Sequence, residues 1–174
     1  FALQTNAVFI SQNEQLVSSF NIPEQLTWAG ICIMIAAVID FLDGFIARLM
    51  NATSELGKQL DSLSDVVSFG VAPAVILYQL LRMSYAREEG GIYISIIFLL
   101  PAIIVAMAAA WRLGRFNIAT DQQYSLKGVP VPAIGLVVAS LPFILHGGGM
   151  PGINSLIVNK WFLYGAVLVL SYLM

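Results

Sequence analysis

Four aspartates lie in two apolar stretches of the chain, where a carboxylate is costly. Asp40 and Asp43 stand near the end of one stretch, and Asp61 and Asp65 stand near the start of the next. An acid at the centre of a bilayer costs about 2.5 to 3.5 kcal/mol even on a lenient insertion scale, and less near the interface. Any one of these acids alone could be an interfacial helix cap. Four at one membrane level instead indicate a compensating cation or a function.

The spacing of the acids predicts a divalent-cation site between two helices. Asp40 and Asp43 are three residues apart, whereas Gly57, Asp61 and Asp65 follow one another at intervals of four, so each set lies on one helix face. Two helices joined by a short loop run antiparallel, which lets the two acidic faces meet. Converging carboxylates repel one another unless cations lie among them. Oxygen-only ligands suit Mg²⁺, Mn²⁺ or Ca²⁺ better than zinc.

Small residues and one arginine share the acidic faces. Gly44 and Ala47 follow Asp40 along its helix, and Gly57 begins the second acidic row. A bulky ligand could approach the backbone beside the acids at these positions, although small residues also serve close helix packing in membranes. Arg48 adds a fixed guanidinium, which together with divalent cations favours phosphate binding.

The rest of the chain predicts the elements that position these residues. Of 174 residues, 59% are apolar and 10% are charged, which is typical of a membrane protein and excludes a large soluble domain. The net charge of -2 gives no argument for a nucleic-acid partner. We expect an all-α, polytopic transmembrane bundle in which five helices are visible. Their approximate ranges are 26–50, 60–83, 92–113, 131–146 and 153–174.

Orientation follows from the basic residues in the short loops. Positions 1–47 contain no Lys or Arg, whereas the loops around 51–57 and 116–129 have basic residues beside them, so we place those loops in the cytoplasm. Lys58, Arg82 and Arg87 are interpreted as membrane anchors.

The chain begins without Met and stops inside an apolar run, so we expect one domain over 1–174 that is truncated at both ends.

The acidic segments spell a known signature. The stretch D-F-L-D-G-F-I-A-R at 40–48, followed after eight residues by G-K-Q-L-D-S-L-S-D at 57–65, matches all eight fixed positions of the CDP-alcohol phosphatidyltransferase motif. Three further stretches, at 65–73, 112–117 and 127–132, are similar to the phosphatidylserine synthase branch of that family. The resemblance covers about 26–142.

The resemblance implies an integral membrane enzyme with six transmembrane helices, commonly a homodimer, whose site opens to the cytoplasm and inner leaflet. Such enzymes release CMP from a CDP-linked lipid by means of a hydroxyl nucleophile and two divalent cations, Mg²⁺ or Mn²⁺. The resemblance implies that Asp40, Asp43 and Asp61 hold metal, and that Asp65 contacts the second metal and is the general base. The residues that would frame the cytidine and its phosphates are Asp43, Gly44, Ala47, Arg48 and Gly57.

The acceptor alcohol is predicted from a second basic cluster. Arg112 and Arg115 are one helical turn apart, and arginines suit the carboxylate that distinguishes L-serine from glycerol phosphate or inositol. We expect one of them, with Asn117 or Lys127, to bind the serine carboxylate or the lipid phosphate; anchoring on anionic headgroups is the alternative.

The resulting hypothesis is transfer of the phosphatidyl group from CDP-diacylglycerol to L-serine, in a bacterial cytoplasmic membrane. Within the family, the alternatives are glycerol 3-phosphate or an inositol phosphate as acceptor, or an archaeal-type ether lipid as donor. Outside it, intramembrane acids also suit a divalent-ion transporter. A transporter predicts acids near the midplane with repeat symmetry, and neither is visible in the sequence. A non-catalytic scaffold would not need the acids.

Overall fold

The computed structural model describes residues 24–50, 54–86, 95–118, 128–147 and 151–174, without the side chains of 24, 25, 116–118 and 151. Over these residues the secondary structure is helical and contains no strand, which confirms the all-α prediction. Two helical stretches in this part of the chain are long and apolar enough to cross a membrane. They are Leu26–Leu49, with a mean hydropathy of 2.1, and Glu55–Ala86, with a mean hydropathy of 1.6.

Helix α1 (Glu24–Leu49) has 26 residues and carries Asp40 and Asp43 in its second half. At about 1.5 Å per residue its length exceeds the thickness of a bilayer core, so it can span with some tilt. Gly30 allows close packing on helix α5 (Val131–His146), because a Cβ at Gly30 would lie 2.7 Å from the carbonyl oxygen of Ala139. Beyond this contact α1 exposes large apolar side chains such as Phe41 and Leu49, as a lipid-facing helix does.

The second spanning stretch is one continuous helix of 32 residues with a wide turn inside it. It consists of α2 (Glu55–Asp65), a π-helical turn (Val66–Val71) and α3 (Ala72–Ala86). Ser54 caps its start, since the Ser54 hydroxyl accepts a hydrogen bond of 3.0 Å from the Gly57 amide. Pro73 explains the wide turn, because in a regular α-helix its ring would clash with the carbonyl four residues earlier.

Helix α4 (Pro101–Ile118) begins later than the sequence predicts, after a short 3₁₀ turn at Ile96–Phe98. Pro101 lies at the first helical position, where a missing N–H costs nothing. The π-helical turn packs closely on α4, because a Cβ at Gly70 would lie 2.9 Å from the Cβ of Ala109. Helix α5 has the predicted bounds, with Pro142 inside it.

The expectation of a single helix from 153 onward is wrong. The structure has two helices there, α6 (Pro151–Ile157) and α7 (Lys160–Leu173), separated at Val158 and Asn159. Asn159 begins the new helix because its side-chain oxygen accepts a hydrogen bond of 2.9 Å from the Trp161 amide. The Asn159 cap satisfies one of the first backbone donors of α7, so the helix restarts instead of continuing from α6.

Helices α3, α4 and α7 meet around a buried apolar core and a tyrosine pair. Leu77, Val105 and Leu163 are buried in this core. At its edge the Tyr164 hydroxyl donates to the Phe98 carbonyl at 2.7 Å and lies 2.8 Å from the Tyr85 hydroxyl. Since the single Tyr164 proton goes to Phe98, the Tyr85 hydroxyl is the donor between the two tyrosines. The pair ties together segments that are distant in sequence, on the other side of the bundle from the connection between α1 and α2.

Candidate active site

A cavity of about 820 Å³ lies between α1 and the helix that follows it. Its walls come from the second half of α1 and from α2 with the π-helical turn. The lining residues recur every three or four positions along each helix, as residues on one helix face do. They are Ala36, Ile39, Asp40, Asp43, Gly44, Ala47, Arg48, Ser54, Glu55, Gly57, Lys58, Leu60, Asp61, Ser64, Asp65, Ser68 and Phe69.

Three carboxylates converge in the middle of this cavity. One oxygen from each of Asp40, Asp43 and Asp61 lies within 4.8 Å of the others. Asp40 is half-buried, whereas Asp43 and Asp61 are exposed. Within the described ranges none of the three forms an ion pair with Lys or Arg. Three oxygens at this separation, without a protein cation between them, fit a hard divalent cation.

Asp65 lies next to the cluster and faces the Asp40 carboxyl. Its Oδ1 atom is buried and makes no hydrogen bond to any residue that the structure describes. A buried carboxylate oxygen normally has a partner, so an orphaned one beside three other acids is an open ligand position. The donor set therefore fits the divalent cations that the motif implies.

Gly44 leaves the cavity wall open for a ligand. A Cβ at Gly44 would have nothing within 4 Å in the described structure, so close packing of α1 does not require a glycine there. Gly57 differs, since a Cβ at that position would lie 3.0 Å from the Ser54 hydroxyl of the helix cap. Close packing between helices therefore explains neither glycine within the described structure, because the limit at Gly57 comes from the cap of its own helix.

Arg48 and Lys58 bring two cations to the end of the cavity nearest the connection between α1 and α2. The Arg48 Nε donates to the Gly44 carbonyl at 3.0 Å, which folds the guanidinium back along α1 toward the cavity. Lys58 lines the same region from α2. Its interpretation as a simple membrane anchor therefore missed its position in the lining, although its place three residues before Asp61 on one helix face was a visible signal.

The serine side chains that line the cavity were also not predicted from the sequence. Ser54, Ser64 and Ser68 all line it. Ser64 and Ser68 lie three residues after Asp61 and Asp65, so the same helical spacing that relates the acids could have indicated them. Glu55 is a further charged residue of the lining that the motif does not include.

The structure does not bring the predicted serine clamp into the cavity. Arg112 is half-buried and Arg115 is exposed on α4, and neither is among the lining residues. The Arg112 Nε lies beside Gly128, 3.7 Å from where a Cβ of that glycine would stand. The Asn117 side chain and Lys127 lie outside the described residues. Binding of the serine carboxylate by these groups stays a prediction.

Comparison with known sequences identifies the family. The sequence profile of the CDP-alcohol phosphatidyltransferases matches residues 7–172, which is nearly the whole chain. The chain belongs to the CDP-alcohol phosphatidyltransferase family. Membership confirms the resemblance of the aspartate motif, and it associates the cavity with a family of phospholipid-synthesising transferases that generally depends on divalent metals.

Curated relatives are similar across the acidic helices and beyond. The chain is 39% identical over 116 residues to the CDP-diacylglycerol–serine O-phosphatidyltransferase of Helicobacter pylori strain J99, covering 66% of this chain and 45% of that protein. It is 32% identical over 136 residues to the enzyme of the same name from Bacillus subtilis, covering 76% and 72%. It is also 33% identical over 129 residues to the archaetidylserine synthase of Methanothermobacter thermautotrophicus, covering 73% and 50%.

The chain spans about half the length of most of these relatives, and 45% of the Helicobacter protein. No solved structure matches the chain significantly.

Proposed function

We propose that the protein transfers a phosphatidyl group from CDP-diacylglycerol to the hydroxyl of L-serine, releasing CMP and forming phosphatidylserine. The convergence of Asp40, Asp43 and Asp61, with the orphaned Asp65 oxygen beside them, carries this proposal. The family membership and the relatives named for serine as acceptor support it.

Two divalent cations, Mg²⁺ or Mn²⁺, would be held by the four aspartates of the cluster. When bound they would neutralise the diphosphate and stabilise the departing phosphate. Asp40, Asp43 and Asp61 supply oxygens from two helices, which fixes the ligands on rigid elements. Asp65 would complete the set from the last residue of α2, one turn below Asp61.

The protein's own groups would bind and orient the two substrates. Gly44, Ala47, Arg48 and Gly57, with Asp43, would frame the cytidine and its phosphates at the connection side of the cavity. The open wall at Gly44 and the guanidinium of Arg48 support this assignment. An arginine matches phosphate oxygens with paired donors and is always charged.

The transfer itself forms one phosphorus–oxygen bond and breaks another. The serine hydroxyl oxygen attacks the phosphorus that carries the diacylglycerol, and the oxygen bridging to CMP departs with its electron pair. Asp65 would take the hydroxyl proton as general base. A carboxylate within hydrogen-bond reach of the hydroxyl can accept its proton.

The donor lipid has a second candidate. Similarity to an archaetidylserine synthase favours an ether-linked CDP-lipid as an alternative donor with the same acceptor. The chemistry at phosphorus would be identical because the ether and ester linkages lie outside the reacting groups.

Two further proposals concern assembly and location. We propose that the protein is a homodimer, and that it lies in a bacterial cytoplasmic membrane with the site facing the cytoplasm.

CMP release by the full-length protein tests the proposal. The purified enzyme would be given CDP-diacylglycerol and Mn²⁺ or Mg²⁺ with L-serine, glycerol 3-phosphate or inositol phosphate, one acceptor at a time. We expect CMP release that depends on L-serine. Release with another acceptor only would retain the reaction class and overturn the acceptor, and release with none would contradict the proposed enzyme. The diether analogue of the donor, run in parallel, distinguishes the two lipid classes.

A further inference from the structure

We infer that Ser68 binds the acceptor alcohol and contributes to its selection; this inference rests on the proposed function. Ser68 lies in the π-helical turn immediately after Asp65 and lines the inner end of the cavity. That inner end is the part farthest from the connection between α1 and α2, and it is formed by Ala36, Ile39, Ser68 and Phe69.

The two ends of the cavity differ in chemistry. The connection end has Arg48 and Lys58, two cations suited to a nucleoside diphosphate. The inner end is apolar apart from the Ser68 hydroxyl, and Phe69 is only 1% exposed. Between the two ends stand the aspartates. A charged nucleotide therefore suits the connection end, which leaves the inner end for the acceptor.

The stereochemistry of the reaction places the acceptor on the inner side. In an in-line displacement the attacking oxygen and the leaving oxygen lie on opposite sides of the phosphorus. If CMP departs toward Arg48 and Lys58, the attacking hydroxyl must approach from the opposite side, which is the inner end. Asp65 is the acid nearest Ser68 in sequence and stands at the boundary of that space.

Ser68 lines the cavity three residues after the general base. Three peptide units limit the separation of the two Cα atoms to about 11 Å, and both residues border the same cavity. A three-carbon acceptor whose hydroxyl contacts Asp65 can therefore present its carboxylate or ammonium to the Ser68 hydroxyl. Asp65 would receive the proton, while Ser68 would hold the other end of the molecule.

The Ser68 hydroxyl is available for this contact. Ser62, Ser140 and Ser155 each donate to a backbone carbonyl of their own helix. No such hydrogen bond is formed by the Ser68 hydroxyl within the described part of the chain. Ser68 is half-buried, so its donor is partly withdrawn from solvent without a partner. π-helical turns inside α-helices occur frequently at functional sites, and this one follows the general base directly.

The experiment measures KM and kcat separately for both substrates in the full-length enzyme. Ser68→Ala should raise the KM for L-serine about tenfold, equivalent to about 1.4 kcal/mol, because a hydrogen bond to a charged group is lost. The KM for CDP-diacylglycerol should stay within about twofold. Ser68→Thr retains the hydroxyl and should restore most of the affinity for serine.

Ser62→Ala is the matched control, since it removes a hydroxyl from the same helix outside the cavity and should leave both KM values unchanged. If Ser68→Ala does not accumulate, Ser68→Cys keeps the side-chain size with a weaker donor and tests the same contact. An unchanged serine KM in an active Ser68 variant, or a rise confined to the KM for the CDP-lipid, would overturn the inference. Absence of serine-dependent CMP release in the wild type would instead overturn the proposed function.

Discussion

Replacing Gly44 by alanine should stabilise the protein and impair nucleotide binding at the same time. Gly44 lies inside α1, where glycine is about 0.5 to 1 kcal/mol less favourable than alanine. A Cβ there would meet nothing within 4 Å in the described structure, so no steric cost offsets the gain. The free energy of unfolding should therefore rise by about 0.5 to 1 kcal/mol.

The same methyl group would protrude into the ligand cavity. If the nucleotide contacts the backbone at Gly44, an added carbon forces it to shift, and overpacking of this kind typically costs about 1 to 3 kcal/mol. Affinity for CMP in the presence of Mn²⁺ should then fall by about 5- to 140-fold. Opposite changes in stability and binding are the signature of a residue whose size serves the ligand and not the fold.

Two measurements in detergent check this prediction. Thermal unfolding should show a midpoint raised by about 1 to 4 °C in Gly44→Ala, and titration calorimetry should show the weakened binding of CMP. Gly165→Ala is the matched control, because Gly165 lies in α7 away from the cavity and its Cβ would also meet nothing within 4 Å among the described residues. That control should gain similar stability with unchanged binding. Wild-type affinity in Gly44→Ala, or a loss of stability, would refute the reasoning.

Four further substitutions test other contacts. Gly70→Ala should lower the free energy of unfolding by about 1 to 3 kcal/mol, measured by thermal unfolding, because its Cβ would clash with α4; an unchanged midpoint would contradict the close packing. Asp61→Asn should weaken Mn²⁺ binding at least tenfold by electron paramagnetic resonance titration, since it replaces one of three converging carboxylates; full binding would exclude Asp61 as a ligand. Tyr164→Phe should lower the free energy of unfolding by about 1 to 3 kcal/mol, because it leaves the Phe98 carbonyl without its donor. Tyr85→Phe leaves that carbonyl bonded and should lower it by about 1 kcal/mol. Equal losses for the two variants in chemical unfolding would contradict the assigned proton direction.

The convergence of the acids was predictable because helical periodicity fixes it. Spacings of three and four residues place Asp40 with Asp43, and Asp61 with Asp65, on one face each, and a short connection makes the helices antiparallel. In the structure, one carboxylate oxygen from each of Asp40, Asp43 and Asp61 lies within 4.8 Å of the other two. Their roles as ligands and base stay predictions, since the geometry alone does not identify what they bind.

Other features depended on contacts that periodicity does not contain. The division of the last segment at Asn159 depends on a side-chain cap within a continuous apolar run, so hydropathy alone indicated a single helix. The late start of α4 at Pro101 depends on a local 3₁₀ turn. The sequence spacing places Lys58 and Ser68 near the acidic residues of their helix. Only the position of the cavity shows that they line it, and that Lys58 is not simply a membrane anchor.

The π-helical turn lies where a proline is incompatible with a regular α-helix, directly beside the site. Pro73 is incompatible with a regular helix at the preceding turn, and the chain widens over Val66–Val71. This widening follows Asp65 directly and coincides with the close packing of Gly70 on α4. The helix that presents the acids is thereby tied to its neighbour at the level of the inner end of the cavity.

Serine-dependent CMP release by the full-length enzyme and by Asp65→Asn tests the central claim most directly. Binding of Mn²⁺ and CMP, measured on the same samples, separates loss of the base from loss of the site. We predict wild-type release that requires L-serine and a divalent cation, and a fall of at least a hundredfold in kcat for Asp65→Asn with CMP still bound. Release at the wild-type rate by Asp65→Asn would contradict the assignment of the acidic cavity as the catalytic centre.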